Sequence, residues 1–224
     1  VGKSNLAVNL SLELGLVGNQ VALPDADFGL ANADLLCGVS PSYHLGHVIQ
    51  GLKSLDDIAI PLSDEVELIP GGSGIEELAN FSLGSRPHIL SQMQAMEEDL
   101  DYMVIDTAAG IAENVSGILA AASEIIIVVT PEPTSIIDAY ATIKVILRHK
   151  KDSSIALVVN NAVGIGDAEQ VFQSISTATR EFLDHKIEFL GMVPADSQVT
   201  EAVRAQVPVT QFAPGCPASR AIRL

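Results

Sequence analysis

Val1-Gly2-Lys3-Ser4-Asn5 opens the chain, and Leu6, Leu10, Leu14 and Val17 follow at helical spacing until Gly18-Asn19 stops the helix. A glycine followed by a lysine and a hydroxyl residue, with a helix starting at once behind them, reads as the tail of a G-K-[ST] phosphate-binding loop. Backbone N–H groups around Gly2, with Asn5 in the same turn, wrap a phosphate. The Lys3 ammonium reaches the β- and γ-phosphates and the Ser4 hydroxyl ligates Mg²⁺. This reading expects a strand and the first glycines of the loop upstream of Val1, which would make the chain a fragment. Three residues recur by chance, so the rest of the sequence has to bear the reading out.

Apolar stretches of strand length recur at Val21 to Leu23, Val66 to Ile69, Tyr102 to Ile105, Ile125 to Thr130, Ile155 to Val159 and Phe189 to Val193. Helical segments separate most of them: Pro87 to Asp99, Ala112 to Ala122, Thr134 to His149 and Ala168 to Asp184. Near-continuous Val/Ile/Leu strands alternating with helices predict an α/β fold. The expected architecture is a doubly wound, mostly parallel sheet of about seven or eight strands with helices on both faces. No repeat, low-complexity tract or Pro/Ser linker divides residues 1–224, which read as one domain.

In such a sheet the ligand sits at the carboxyl ends of the strands. Six strand ends here carry Asp25 and Asp27, Pro70-Gly71-Gly72-Ser73-Gly74, Asp106, Thr130-Pro131-Glu132, Asn160-Asn161, and Pro194-Ala195-Asp196. Asp106 closes a buried strand, where a carboxylate holds Mg²⁺ in phosphoryl-transfer sites, although an aspartate there also serves as a helix N-cap. Asp25 and Asp27 are two apart and point to one side; one can orient a water at a γ-phosphate, or both can form a solvated acidic turn. Gly71 to Gly74 lacks a following lysine and has Glu76-Glu77 behind it, so it reads as a tight turn with Ser73 near a helix cap. Asn160 has the donor and acceptor that suit an adenine edge, and equally a strand-end turn.

Composition narrows the function. A net charge of −16 argues against nucleic acid as a direct partner. The two cysteines, Cys37 and Cys216, are far apart and form no C-x-x-C, so no zinc or iron–sulfur site is expected. The longest apolar runs fall well short of the ~18 residues of a membrane span.

The residues resemble the MinD/ParA group of deviant Walker A ATPases, whose loop ends as Val1-Gly2-Lys3-Ser4 does. Within it, Asp25-Ala26-Asp27-Phe28-Gly29-Leu30-Ala31-Asn32-Ala33-Asp34, Ile69 to Gly74, Glu77-Leu78-Ala79-Asn80, Asp106 to Ile111 and Thr130 to Ser135 with Asp138-Ala139-Tyr140 are similar to the flagellar-number regulators FlhG or FleN. The resemblance runs almost end to end. It implies ATP and Mg²⁺ as cofactors, with Gly2, Lys3, Ser4 and Asn5 on the phosphates, and Ser4, Asp25 and Asp106 at the metal. Asp27 would orient the hydrolytic water, with Lys3 as its catalytic companion. Asn160, Pro194 and Asp196 would bind adenine, and Glu132, Thr134 and Asp138 would form the face of an ATP-bound homodimer.

The resemblance further implies a cytoplasmic ATPase that controls flagellum number or placement through partners such as an FlhF-like GTPase, flagellar switch proteins or a FleQ-like activator. Relatives end in an amphipathic membrane-targeting helix, implying peripheral attachment to the inner face of the cell membrane. The chain stops at Ala221-Ile222-Arg223-Leu224, before such a helix could be read. A MinD-like division-site regulator is the alternative, and a ParA-like DNA-partitioning ATPase is disfavoured by the charge. Two departures stand out: the group's signature lysine precedes Gly2 and is absent, and Pro24 replaces an aliphatic residue, which would shift the loop carrying Asp25 and Asp27.

Overall fold

Strand β1 (Val21–Ala26) is the pivot of the first sheet. The computed structural model describes residues 1–27, 30–72, 86–108, 110, 119 and 121–223, with 86–90 as backbone alone. On one side β1 pairs in parallel with β3 (Val66–Ile69), and β2 (Ile60–Pro61) adds to β3 as an antiparallel edge. On the other side β1 pairs with β4 (Tyr102–Met103) and then β5 (Asp106–Thr107). The second sheet is β6 (Glu124–Val129), β7 (Ser154–Ala162) and β8 (Glu188–Pro194), all parallel. Among the described residues no ladder joins the two sheets: β5 pairs with β1, and β6 with β7.

Successive strand residues feed opposite faces, as the pleat requires. Val21, Leu23, Val66 and Leu68 pack with Val8 and Leu12 of α1 (Lys3–Leu16) and with Ala33 of α2 (Ala33–Leu36). Ala26 and Ile69 turn the other way, to Leu45 and Val48 of α3 (Leu45–Ile49), Leu55 and Ile58 of α4 (Leu55–Ile58), and Met93 of α5 (Arg86–Glu97). In β7, Ile155, Leu157 and Val159 face α6 (Pro133–His149) and α7 (Ile165–Leu183). Val158 faces Leu6 and the group formed by α8 (Ser197–Ala205), α9 (Val209–Phe212) and α10 (Pro217–Ile222). Helices therefore cover both faces, as the doubly wound reading expects.

The apolar periods place α1, β3, β6, β7, β8, α6 and α7 to within about three residues. One expected strand divides. Tyr102 to Ile105 becomes β4 and β5, with Asp106 inside the second, and the break falls opposite Leu23 and Pro24. Proline has no N–H to give to a ladder. The proline interrupts its neighbour and not its own strand, since β1 runs on to Ala26. Most of the expected helix from Ala112 to Ala122, and Ser73 with its cap, lie outside the described residues. No described helix is long and apolar enough to cross a membrane.

Candidate nucleotide and magnesium site

The carboxyl ends of β5, β6, β7 and β8 and the N-terminus of α1 surround a cavity of about 960 Å³, lined among others by Gly2, Lys3, Thr107, Asn160 and Asp196 but not by Ser4, Asp25, Asp27 or Asp106. Gly2 stands before α1 with φ 88° and ψ 11°, a left-handed conformation that glycine adopts without steric cost. A side chain at Gly2 would also run into the Asn160 amide. No side chain caps α1 and no acidic residue stands in its first turn, so the first N–H groups and the positive end of the helix are left for an anion.

Asp106 is 3% exposed, and its Oδ2 is buried with no hydrogen-bond partner. The Ser4 hydroxyl stands beside this carboxylate. Burial pushes the Asp106 pKa up, while the Ser4 hydroxyl and the nearby Lys3 ammonium oppose the rise. A buried, half-satisfied carboxylate beside a hydroxyl and an ammonium is an incomplete electrostatic unit. A hard cation would complete it, because the donors are all oxygen. Among the described residues no group of three His, Cys, Asp or Glu could hold a metal by itself. Mg²⁺ fits such a sparse set, since it commonly takes only one or two protein oxygens and fills its shell with phosphate and water.

Asp25 lies opposite Asp106 in the β1–β5 register and is 1% exposed. Its Oδ1 accepts from the Asp27 N–H at 3.1 Å, and its Oδ2 from the Asn32 and Ala33 N–H groups at 2.9 and 3.0 Å. Burial outweighs these bonds and pushes its pKa up to about 6. Asp27 is half-buried and accepts from the Leu30 N–H through Oδ1. Both carboxylates couple electrostatically to Asp106, but they differ in commitment: both oxygens of Asp25 accept backbone N–H groups, whereas Asp27 accepts one through Oδ1.

Asn160 donates through Nδ2 to the Val1 carbonyl at 3.2 Å, so its amide braces the loop ahead of α1. Pro194 ends β8 on the same cavity wall. Asp196 caps α8 through the Gln198 N–H and also accepts from the Ala218 N–H of α10; these bonds, the Gln198 one foremost, hold its pKa low. Glu132, Thr134 and Asp138 are exposed at the start of α6 and line the mouth of the same cavity. The neighbouring Thr130 side chain is the main cause that lowers the Glu132 pKa.

Two contributors escaped the sequence reading. Asn9 is 1% exposed on α1; its Nδ2 donates to the Asn5 carbonyl, and its Oδ1 accepts from both the N–H and the hydroxyl of Thr210. It ties α1 to α9. The one available signal was an amide close to the apolar stripe of a helix. Gly71 was read only as a turn, yet a Cβ there would strike the Asp25 carbonyl and Ala31. The turn after β3 therefore packs directly on the loop after β1.

Comparison with known proteins finds relatives over the whole chain. A ParA family model, described as "NUBPL iron-transfer P-loop NTPase", matches residues 86–223. The antiactivator FleN of Pseudomonas aeruginosa is 36% identical over 223 residues, spanning 100% of this chain and 80% of the relative. The flagellum site-determining protein YlxH of Helicobacter pylori is 31% identical, over 96% of this chain and 72% of the relative. The septum site-determining protein MinD of Pyrococcus horikoshii, solved with Mg-ADP, superposes with a TM-score of 0.82 at 22% identity, covering 99% of this chain and 88% of that one.

Proposed function

The chain belongs to the ParA family of P-loop NTPases, and from that premise we propose that it is an ATP-dependent dimerising switch that hydrolyses ATP and controls flagellum number or placement through protein partners. One observation carries the reading: Ser4, in the first turn of an uncapped helix, stands beside the buried Asp106 carboxylate, one oxygen of which has no partner. A site for Mg²⁺ and phosphate accounts for all three features. Likeness over nearly the whole chain to FleN and YlxH supports the flagellar branch.

In this reading the start of α1 binds the phosphate chain through its N–H groups, and Lys3 sets its charge against the β- and γ-phosphates. Ser4 and Asp106 hold Mg²⁺, which when bound neutralises charge on the phosphate oxygens. Asp27 orients the attacking water. Asn160, Pro194 and Asp196 lie around the base, and Glu132, Thr134 and Asp138 meet a second copy of the chain across ATP. Partners of the FlhF, flagellar-switch or FleQ kind, and the inner membrane surface, belong to the same proposal.

Iron transfer, named in the family description, finds no support in the residues. Cys216 is buried beside Ser219, and Cys37 has its pKa pushed up to about 12, chiefly by burial. Neither thiol is poised to ligate a metal.

The test uses full-length protein in Mg²⁺ and ATP. Asp27→Ala should keep ATP affinity, slow phosphate release by on the order of 10² and accumulate as a dimer by size-exclusion chromatography. Asp138→Ala should bind ATP yet stay monomeric. If neither Asp27→Ala nor Asp25→Ala traps a dimer, the nucleotide-gated switch should be abandoned.

A further inference from the structure

We infer that Asp25 is a positioning residue: its carboxylate is a clasp that closes the loop after β1 and thereby aims Asp27. The inference rests on the reading of Asp27 as the group that orients water. Three backbone N–H groups from two separated points of the chain, Asp27 on one side and Asn32 with Ala33 on the other, converge on a carboxylate that is 1% exposed. Asn32 and Ala33 begin α2, and Asn32 does not cap it with its own side chain. Asp25 therefore caps that helix from seven and eight residues away while fixing the amide of Asp27.

The clasp is backed from behind. Gly71 lies so close to the Asp25 carbonyl and Ala31 that no Cβ fits. The turn carrying Gly71 is itself held by the Leu45 N–H, which donates to the Pro70 carbonyl at 2.8 Å, and by the His44 ring against Gly72. Asp25 is the only side chain among the described residues seen to bond both ends of the loop, and both of its oxygens are committed to it. Asp106, its register neighbour, keeps an unpartnered oxygen. The two aspartates thus divide the work: Asp106 faces the cation, and Asp25 sets the backbone on which Asp27 stands.

Hydrogen exchange on the nucleotide-free full-length protein reads the clasp without reference to ATP. In wild type the Asn32 and Ala33 amides should be protected, and in Asp25→Asn their protection should fall by ~10-fold or more, because a carboxamide offers one acceptor where the carboxylate offers two. Phosphate release by Asp25→Asn should slow by ~10-fold or more, while the KM for ATP and the Mg²⁺ concentration at half-maximal rate stay within ~3-fold of wild type. A Mg²⁺ requirement raised ~10-fold or more would make Asp25 a ligand and overturn the proposal. So would unprotected Asn32 and Ala33 amides in wild type, a result that needs no variant to fold. A wild-type protein that shows this protection but does not hydrolyse ATP would sink the functional reading and leave the clasp standing.

Discussion

Replacing Asn9 by leucine, a residue of similar size, tests whether the phosphate helix is anchored as described. Asn9 and Thr210 are 1% and 2% exposed, and the Asn9 Oδ1 accepts from both the N–H and the hydroxyl of Thr210, at 2.9 and 3.0 Å. Leucine accepts neither. The Thr210 hydroxyl can rotate toward another acceptor, but its N–H is fixed by the backbone of α9. One buried N–H left without a partner costs about 2 kcal/mol and the lost hydroxyl bond about 1 kcal/mol more, so destabilisation of about 3 kcal/mol is expected. For a domain of this size that lowers Tm by roughly 6–12 °C, read by differential scanning calorimetry. Thr210→Val should couple to Asn9→Leu by about 1 kcal/mol in a double-mutant cycle. A Tm within about 2 °C of wild type would refute the claim that this amide anchors α1.

Other outcomes follow from the same geometry. Gly2→Ala must take a left-handed φ and displace the Asn160 amide; a combined cost of about 2 kcal/mol should weaken ATP binding by ~10-fold or more, measured by calorimetry. Asp25 has its pKa raised from 3.8 to about 6 in the folded state, so the folded protein holds a proton that the unfolded chain has lost. This contribution to stability is fully present below about pH 3.8 and is lost as pH rises through about 6. The difference in urea-unfolding free energy between nucleotide-free wild type and Asp25→Asn should therefore shift against wild type by about 2.4 kcal/mol between pH 4 and pH 7. A flat difference would show that Asp25 does not titrate in this window. With a net charge of −16, the protein should give no salt-sensitive shift of duplex DNA in a gel at micromolar concentration, with or without ATP.

What the sequence disclosed, and what it hid, has a physical pattern. Long elements with one apolar period, such as α6, α7 and β7, were legible because burial of a continuous face dictates them. The four- and five-residue helices α2, α3 and α4 were not. Each is fixed by backbone N–H groups donating to a side chain, Asn32 and Ala33 to Asp25, Gly46 to His44, and Asp57 to Ser54, and not by a periodic face. The loop residues Gly2, Lys3 and Ser4 and the carboxylate Asp106 were readable from type and order along the chain. The roles of Asn9 and Gly71 were not, because each acts on a segment distant in sequence: Thr210 for Asn9, the Asp25 carbonyl for Gly71. The break in the strand opposite Pro24 was not legible, since the missing N–H acts on the neighbouring strand.

The central claim is that the start of α1, with Ser4 and Asp106, holds the phosphates of a nucleotide and their Mg²⁺. Isothermal titration of ATP into full-length wild type and Lys3→Ala, each with Mg²⁺ and with EDTA, tests it most directly. Wild type should bind ATP, more tightly with Mg²⁺ than in EDTA, and Lys3→Ala should lose ~10²-fold or more in affinity as the charge-assisted contact disappears. Near-equal affinity of the two proteins, or binding indifferent to Mg²⁺, would contradict the assignment of the site.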